Sequence, residues 1–196
     1  MANETLRLFV AIDLPPEVKR LLGELQAQLR QHTDAVRWSD PAGTHLTLKF
    51  LGSVPAPRVD AIVAALRRSA GPLGSFQLQT GALGVFPNPR RPRVIWLGVG
   101  GELPALHQLQ SAVEQEIAPL GFPTEERAFS PHLTLGRSPK DPSPAAFAAM
   151  RHAVEQTKVL RTVGWQVAEA VLMRSELLPG GARYTPVEHV RLDGQS

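Results

Sequence analysis

The 196-residue sequence contains no cysteine. This absence excludes disulfide bonds, thiolate-ligated zinc and a cysteine nucleophile. The sequence also lacks any apolar stretch near the roughly 18 residues that a membrane-spanning helix needs. Its N-terminus has neither the basic region nor the small-residue cleavage site of a signal peptide. We therefore expect a soluble cytoplasmic protein with no membrane partner.

Positive charge is only slightly in excess. The chain has 21 lysines and arginines against 18 acidic residues, which gives a net charge of +3. A mild basic excess fits an anionic partner such as a phosphate ester or RNA. Many basic proteins bind no nucleic acid, so the charge alone carries little weight. The hydrophobic fraction of 43% and the charged fraction of 20% are ordinary for a globular chain.

An internal repeat with a constant offset runs through the chain. The tetrapeptide that begins at His45 recurs at His132, which is 87 residues later (132 − 45). The same offset aligns residues in the matching elements of the two halves: Leu8 with Ile95, Pro57 with Pro144, and Phe76 with Val163. A short motif in register with its flanking elements indicates duplication rather than chance.

Hydrophobic periodicity assigns each half the order β-α-β-α-β. Each half is too short to bury a large core alone. We therefore predict an α+β fold with two pseudo-symmetric lobes, in which two mostly antiparallel sheets face a central cleft and the helices lie outside. Residues 1–196 would form a single bilobal domain with repeats at about 5–86 and 92–173. One long strand is predicted over 163–173 and a C-terminal strand over 184–192, with Tyr184 at the boundary between a glycine-rich turn and this last strand.

The repeated motif can carry acid–base chemistry. Residues at i and i+2 of a strand share a face, so His45 projects with Thr47 and His132 with Thr134. Two histidines on opposite sides of a phosphorus can serve as general acid and general base. Threonine hydroxyls can hydrogen-bond the non-bridging oxygens. A single His-x-Thr is usually structural, but two copies at matching positions favour an active site that needs neither a metal nor another cofactor.

These motifs resemble those of the 2H phosphoesterase superfamily, and more closely the RNA 2′,3′-cyclic phosphodiesterases once described as 2′-5′ RNA ligases. The resemblance covers nearly the whole chain and is carried by residues 7–12, 44–52, 92–98 and 129–137. It implies hydrolysis of a terminal 2′,3′-cyclic phosphate on RNA, or of a 2′,3′-cyclic nucleotide, to a 2′-phosphomonoester. It also implies reversible 2′-5′ ligation, with His45 as proton donor and His132 as proton acceptor. The motifs are near-identical, so the residues alone do not distinguish donor from acceptor.

Three further side chains are candidates for the site. Arg137 suits phosphate binding, but strand parity turns it away from Thr134 unless the strand bends at Gly136. Phe50, which parity also turns away, and Trp38 could stack on a nucleobase, although such aromatic residues are more often core. The basic loop with Arg90, Arg91 and Arg93 is more readily a solvated loop than an RNA-binding one. The remaining histidines show no repeat and no metal-ligand cluster: His32, His107, His152 and His189.

Two other functions fit the same residues. A sister enzyme on the same scaffold could act on a cyclic ADP-ribose phosphate or on 2′-5′ oligoadenylate. A non-catalytic module could bind RNA ends, although intact motifs argue against it. The sequence leaves open the RNA substrate, its base preference, the importance of ligation and the oligomeric state, for which we expect a monomer.

Overall fold

The computed structural model describes residues 4–179 and 181–194, and within them nine strands and four α-helices. The helices are α1 (Pro16–Arg30), α2 (Val59–Ala70), α3 (Leu103–Ile117) and α4 (Pro144–Gln156). The strands are β1 (Thr5–Ile12), β2 (Arg37–Trp38), β3 (Leu46–Pro55), β4 (Phe76–Phe86), β5 (Val94–Gly101), β6 (His132–Arg137), β7 (Gly164–Val167), β8 (Glu169–Leu178) and β9 (Gly181–Arg191). No helix in this described part is long and apolar enough to cross a membrane.

The strands form two antiparallel sheets. Sheet A has the order β3-β1-β8-β9, and sheet B has the order β2-β6-β5-β4-β7. Helix α2 contacts β8 and β9, and helix α3 contacts α2 and β3, so both lie on sheet A. Helix α1 contacts α4 and reaches sheet B through its buried Gln26. The predicted α+β fold with two antiparallel sheets is confirmed.

Helices α1 and α3 occupy equivalent places in the two halves, since both span 15 residues and begin 87 residues apart (103 − 16). Each carries proline in its first turn, where the missing N–H costs no hydrogen bond. Leucines and valines at helical spacing bury one face of each helix. Helix α4 also begins with a proline, and in addition the Ser143 hydroxyl accepts a hydrogen bond from the backbone N–H of Ala146.

The two sheets do not coincide with the two halves of the sequence. Strand β4 belongs to the first half but pairs with β5 and β7 in sheet B. The long strand predicted over 163–173 is wrong, because the chain leaves sheet B after β7 and enters sheet A as β8. We propose that this exchange makes the chain one bilobal domain; the repeat boundaries at 5–86 and 92–173 stay predictions.

One continuous apolar core joins both sheets to the four helices. It takes side chains from β1, β3, β8 and β9 of sheet A and from β4, β5, β6 and β7 of sheet B. A second, small cluster lies on the opposite face of sheet A and consists of Phe9, Ala11, Val171 and Met173, with Tyr184 packed against it. That face is the floor of the cleft described below.

A buried ion pair ties strand β3 to the helix of the other half. The Lys49 ammonium donates to the Glu114 carboxylate on α3 at 2.5 Å and to the Pro123 carbonyl at 2.9 Å. The two side chains are only 3% and 11% exposed. A charge at such depth is tolerated only while it is paired and hydrogen-bonded. The pair therefore fixes the strand that carries the first motif.

Replacing Glu114 by alanine should leave the Lys49 ammonium buried without its counter-charge. We expect Glu114→Ala to lower the free energy of unfolding by about 3–5 kcal/mol, measured by urea denaturation. Glu116→Ala is the control, since it removes an exposed partner of Arg68 on the same helix and should cost less than about 1 kcal/mol. Equal decreases in the free energy of unfolding in the two variants would show that the buried pair stabilises the fold no more than the exposed pair does.

Candidate active site

A cleft of about 1090 Å³ lies between the two sheets and contains both motifs. His45 precedes β3 in sheet A, whereas His132 begins β6 in sheet B. Strands β3 and β6 approach each other, and the cleft is lined by His45, Thr47, His132 and Thr134. The fold thus gathers all four predicted motif residues in one place.

Both imidazoles are held in the same way by the backbone. Nδ1 of His45 lies 3.0 Å from the Gly43 carbonyl oxygen, and Nδ1 of His132 lies 2.7 Å from that of Ser130. A carbonyl oxygen can only accept, so each Nδ1 carries the hydrogen and donates it. Each ring then keeps Nε2 for chemistry, and neither Nε2 has a hydrogen-bond partner in the described part of the chain.

Aromatic side chains flank each imidazole. The ring centroid of His45 lies 4.4 Å from that of Phe9 and 4.8 Å from that of Tyr184. His132 lies 4.9 Å from Phe86. These contacts restrict ring rotation and shield one side of each histidine from water. Tyr184 lies well within β9 and not at the boundary between turn and strand, because β9 begins at Gly181, earlier than the predicted start at residue 184.

Burial lowers the pKa of both histidines below the ordinary value, since desolvation disfavours the charged imidazolium. The nearby charges differ in sign. The carboxylate of Asp13 opposes the decrease in the pKa of His45, although Lys19 partly offsets it. The guanidinium of Arg137 instead lowers the pKa of His132 further. The two imidazoles therefore have different electrostatic surroundings.

Each motif strand contains a β-bulge directly after its threonine. Ala11 and Val10 pair with Thr47 and Lys49, so Leu48 is the extra residue in β3. Trp96 and Ile95 likewise pair with Thr134 and Gly136, so Leu135 is the extra residue in β6. An extra residue reverses the alternation of side chains beyond it.

The bulges overturn the parity argument for two candidates. Regular alternation would turn Phe50 and Arg137 away from the cleft, yet both line it. Phe50 is 72% exposed, whereas the preceding Lys49 is buried. The same bulge therefore delivers an aromatic ring in one half and a guanidinium at the matching position of the other.

The bulge in β6 is held by a buried amide. The Gln26 side chain on α1 donates to the Leu135 carbonyl at 2.9 Å and to the Ser39 carbonyl at 2.7 Å. The Leu135 carbonyl also accepts from the Ser39 backbone N–H at 2.9 Å. Gln26 is only 4% exposed, so no bulk water competes for these bonds. This amide fixes the conformation that sends Arg137 into the cleft.

The remaining candidates take different places. Trp38 lines the cleft, but the Arg30 guanidinium stacks 5.0 Å above its ring. The basic loop does not line the cleft, and Arg93 instead donates to the Lys140 carbonyl at 2.8 Å. Residues 4–179 and 181–194 contain no group of three or more histidine and acidic side chains arranged to hold a metal ion.

Comparison with known proteins agrees with this geometry. The profile of the LigT-like phosphoesterases matches the chain twice, over residues 12–96 and 99–184. The chain belongs to this family. The two matches begin 87 residues apart (99 − 12), which equals the spacing of the two histidines in this LigT-like phosphoesterase.

Similar proteins cover nearly the full length of this LigT-like phosphoesterase. An RNA 2′,3′-cyclic phosphodiesterase of Methanothermobacter thermautotrophicus is 33% identical over 95% of this chain and 98% of its own. A crystal structure of a Thermus thermophilus protein is 31% identical over 97% and 100% of the two chains, with a TM-score of 0.80. The E. coli LigT complex with 3′-AMP is 30% identical over 96% and 99%, with a TM-score of 0.75.

Two residues at the cleft, Phe9 and Gln26, were not predicted from the sequence. Phe9 beside His45 had a signal, because the repeat offset maps it onto Trp96, whose ring centroid lies 6.3 Å from that of His132. Gln26 had none, because its partner in β6 is 109 residues away in sequence.

Removing the Gln26 amide should disturb the bulge while leaving the motif intact. We expect Gln26→Leu to lower kcat/KM for a cyclic phosphate by about tenfold or more, because the Leu135 carbonyl loses a buried donor and Arg137 loses its position. Activity assays and a melting curve together would check this. Gln28→Leu on the same helix is the control, and equal activity in both variants would contradict the assignment.

Proposed function

We propose that this chain hydrolyses the terminal 2′,3′-cyclic phosphate of RNA to a 2′-phosphomonoester, without a metal, through its two motif histidines. One observation carries the proposal: two imidazoles from opposite sheets meet in one cleft, each with Nδ1 bound to a carbonyl and Nε2 left for chemistry. Relatives named RNA 2′,3′-cyclic phosphodiesterase support the choice of substrate.

In the proposed step, His132 acts as base and His45 as acid. Nε2 of His132 takes a proton from water, whose oxygen forms the new bond to phosphorus. The bond from phosphorus to the 3′ oxygen breaks on the opposite side, and Nε2 of His45 gives its proton to that oxygen. One water is consumed, the 2′ bond to phosphorus stays, and the two histidines end with their protonation states exchanged.

The unequal charges around the histidines support this division of roles. The Asp13 carboxylate favours the protonated form of His45, which suits a proton donor. The Arg137 guanidinium favours the neutral form of His132, which suits a proton acceptor. With the roles reversed, Asp13 would disfavour the neutral form that His45 needs as a base, and Arg137 would disfavour the protonated form that His132 needs as an acid.

The other candidates stabilise the phosphate in this proposal. The hydroxyls of Thr47 and Thr134 line the cleft and make no hydrogen bond to the described residues, so both can donate to non-bridging oxygens. Arg137 supplies positive charge for the phosphorane-like transition state. Phe50 offers an exposed ring for base stacking, whereas Trp38 is already covered by Arg30.

The same displacement with another nucleophile gives 2′-5′ ligation. A 5′ hydroxyl of a second RNA would replace water and attack the phosphorus of the cyclic phosphate. The proton of that hydroxyl would pass to His132, and the 3′ oxygen would receive the proton of His45. Hydrolysis and ligation use the same groups, and ligation is reversible because the 3′ hydroxyl can attack the new 2′-5′ linkage and restore the cyclic phosphate. The proposal therefore includes this weak activity.

One chain supplies both histidines and both threonines, so we propose that the monomer is active. We also propose that the protein acts in the cytoplasm. If light scattering detects association at some concentration, the protein can be diluted from above to below it. Turnover per chain should stay constant across this dilution.

The decisive test is hydrolysis of a short RNA ending in 2′,3′-cyclic phosphate in excess EDTA, with the product isomer identified by chromatography. We expect the wild type to form the 2′-phosphate, and His45→Ala and His132→Ala each to lose about 10²–10⁴-fold in kcat. His107→Ala, which removes an exposed imidazole outside the cleft, is the control and should keep full activity.

Three outcomes would contradict the proposal. EDTA-sensitive turnover would refute metal independence, and unaffected activity in either cleft variant would place the active site elsewhere. Hydrolysis of a cyclic ADP-ribose phosphate or of 2′-5′ oligoadenylate, with RNA untouched, would assign the sister activity instead.

The pH dependence provides a separate test. The profile of kcat/KM reports the pKa values of the free enzyme, and burial lowers both histidine pKa values below 6.5. The bell-shaped profile should therefore have its maximum on the acidic side of pH 6.5. In Arg137→Gln the acidic limb should move to higher pH, because the charge that lowers the pKa of His132 is gone. If the acidic limb does not move, the charge of Arg137 does not lower the pKa of His132, and this part of the proposal is wrong.

A further inference from the structure

The cleft carries more positive charge than one cyclic phosphate can neutralise. Four arginines line it, together with the carboxylate of Asp40: Arg7, Arg30, Arg137 and Arg183. Arg183 is paired with Glu176 at 2.8 Å. The other three arginines make no ion pair within residues 4–179 and 181–194. A cyclic phosphodiester has a single negative charge, so this surplus fits a ligand with several phosphates.

Arg7 lies at the far end of the cleft from the motif threonines. On β1, Ala11 pairs with Thr47, whereas Arg7 is four residues farther along and pairs with Ser53. At about 3.3 Å per residue, the two positions are separated by roughly 13 Å. Phe9 lies between them on the same face. A phosphate at Arg7 is therefore a different phosphate from the one between the histidines.

Exposed apolar side chains extend from the middle of the cleft, where Phe50 pairs with Phe9, to this same end. Phe50 on β3 is 72% exposed, and Leu177 and Leu178 at the tip of the β8–β9 hairpin are 70% and 46% exposed. All three line the cleft. Apolar and aromatic surfaces beside a cation are the arrangement that binds single-stranded nucleic acid, in which bases stack while phosphates pair with arginine.

The proposed mechanism gives this surface a direction. His45 protonates the departing 3′ oxygen, so the terminal ribose lies on the side of sheet A. The 5′ oxygen of that ribose continues the RNA chain, and sheet A offers it the floor of Phe9, Phe50 and Arg7. The chain 5′ of the cyclic phosphate thus has a path along sheet A.

We propose that the sheet A trough, defined by Arg7, Phe9, Phe50, Leu177 and Leu178, binds the nucleotides 5′ of the cyclic phosphate. The preferred substrate is then a single-stranded oligonucleotide rather than a free cyclic nucleotide. This inference rests on the proposed function and extends it from the reacting end to the body of the RNA.

The test compares 2′,3′-cyclic AMP with oligoadenylates of two, three and four nucleotides that end in 2′,3′-cyclic phosphate. For the wild type, kcat/KM should rise with length. The ratio of kcat/KM for the tetranucleotide to that for cyclic AMP should fall about five- to tenfold in Arg7→Ala and Phe50→Ala. Arg20→Ala removes an exposed arginine outside the cleft and should leave the ratio unchanged. The salt dependence of the tetranucleotide reaction should weaken only in Arg7→Ala.

Equal kcat/KM at all lengths, or an unchanged ratio in Arg7→Ala, would overturn the trough while leaving the hydrolytic function intact. If no cyclic phosphate is hydrolysed, the proposed function is wrong. A binding measurement then tests separately whether the sheet A trough binds RNA. Anisotropy of a 5′-fluorescein tetra-adenylate ending in 2′-phosphate should then show weaker binding in Arg7→Ala than in Arg20→Ala. Equal binding in these two variants would overturn the inference.

Discussion

The extra residue that follows each motif threonine is the constraint from which the rest of the cleft follows. Leu48 and Leu135 each reverse the alternation of their strand. The residue after each bulge then turns into the core, and the next one turns out to the cleft. In β3 the inward residue is Lys49, and its burial is tolerable only because Glu114 on α3 meets it. The bulge therefore couples the composition of the cleft to an ion pair in the core.

The exchange of strands explains how two distant motifs come to face each other. Sheet A joins β1 and β3 of the first half to β8, and sheet B joins β5 and β6 of the second half to β4. Neither motif strand sits in a sheet made only of its own half. The relative position of the two imidazoles thus depends on both halves folding together, and a reaction that needs two side chains at fixed separation benefits from that coupling.

The sequence predicted most of the architecture because the informative patterns are local. Helical spacing and the 87-residue offset located the elements, since periodicity reports the neighbours of a residue along its own segment. It does not report which strand lies alongside. The segment 163–173 reads as one strand, yet its two parts pair with β4 and β1 in different sheets. The bulges could not be predicted for the same reason. An extra leucine in an apolar strand leaves the sequence pattern of that strand unchanged, and only the pairing with the neighbouring strand reveals it.

The backbone repeats almost to the residue, but the charges near the two histidines do not repeat. Asp13 maps by the offset onto Gly100, and Arg137 maps onto Phe50. A carboxylate therefore stands near one histidine without a counterpart near the other, and the guanidinium shows the opposite pattern. Two imidazoles in a strictly symmetric cleft would have equal proton affinities, whereas acid–base displacement needs one donor and one acceptor. In the proposed mechanism, Asp13 and Arg137, which have no counterparts in the other half, assign the donor role to His45 and the acceptor role to His132.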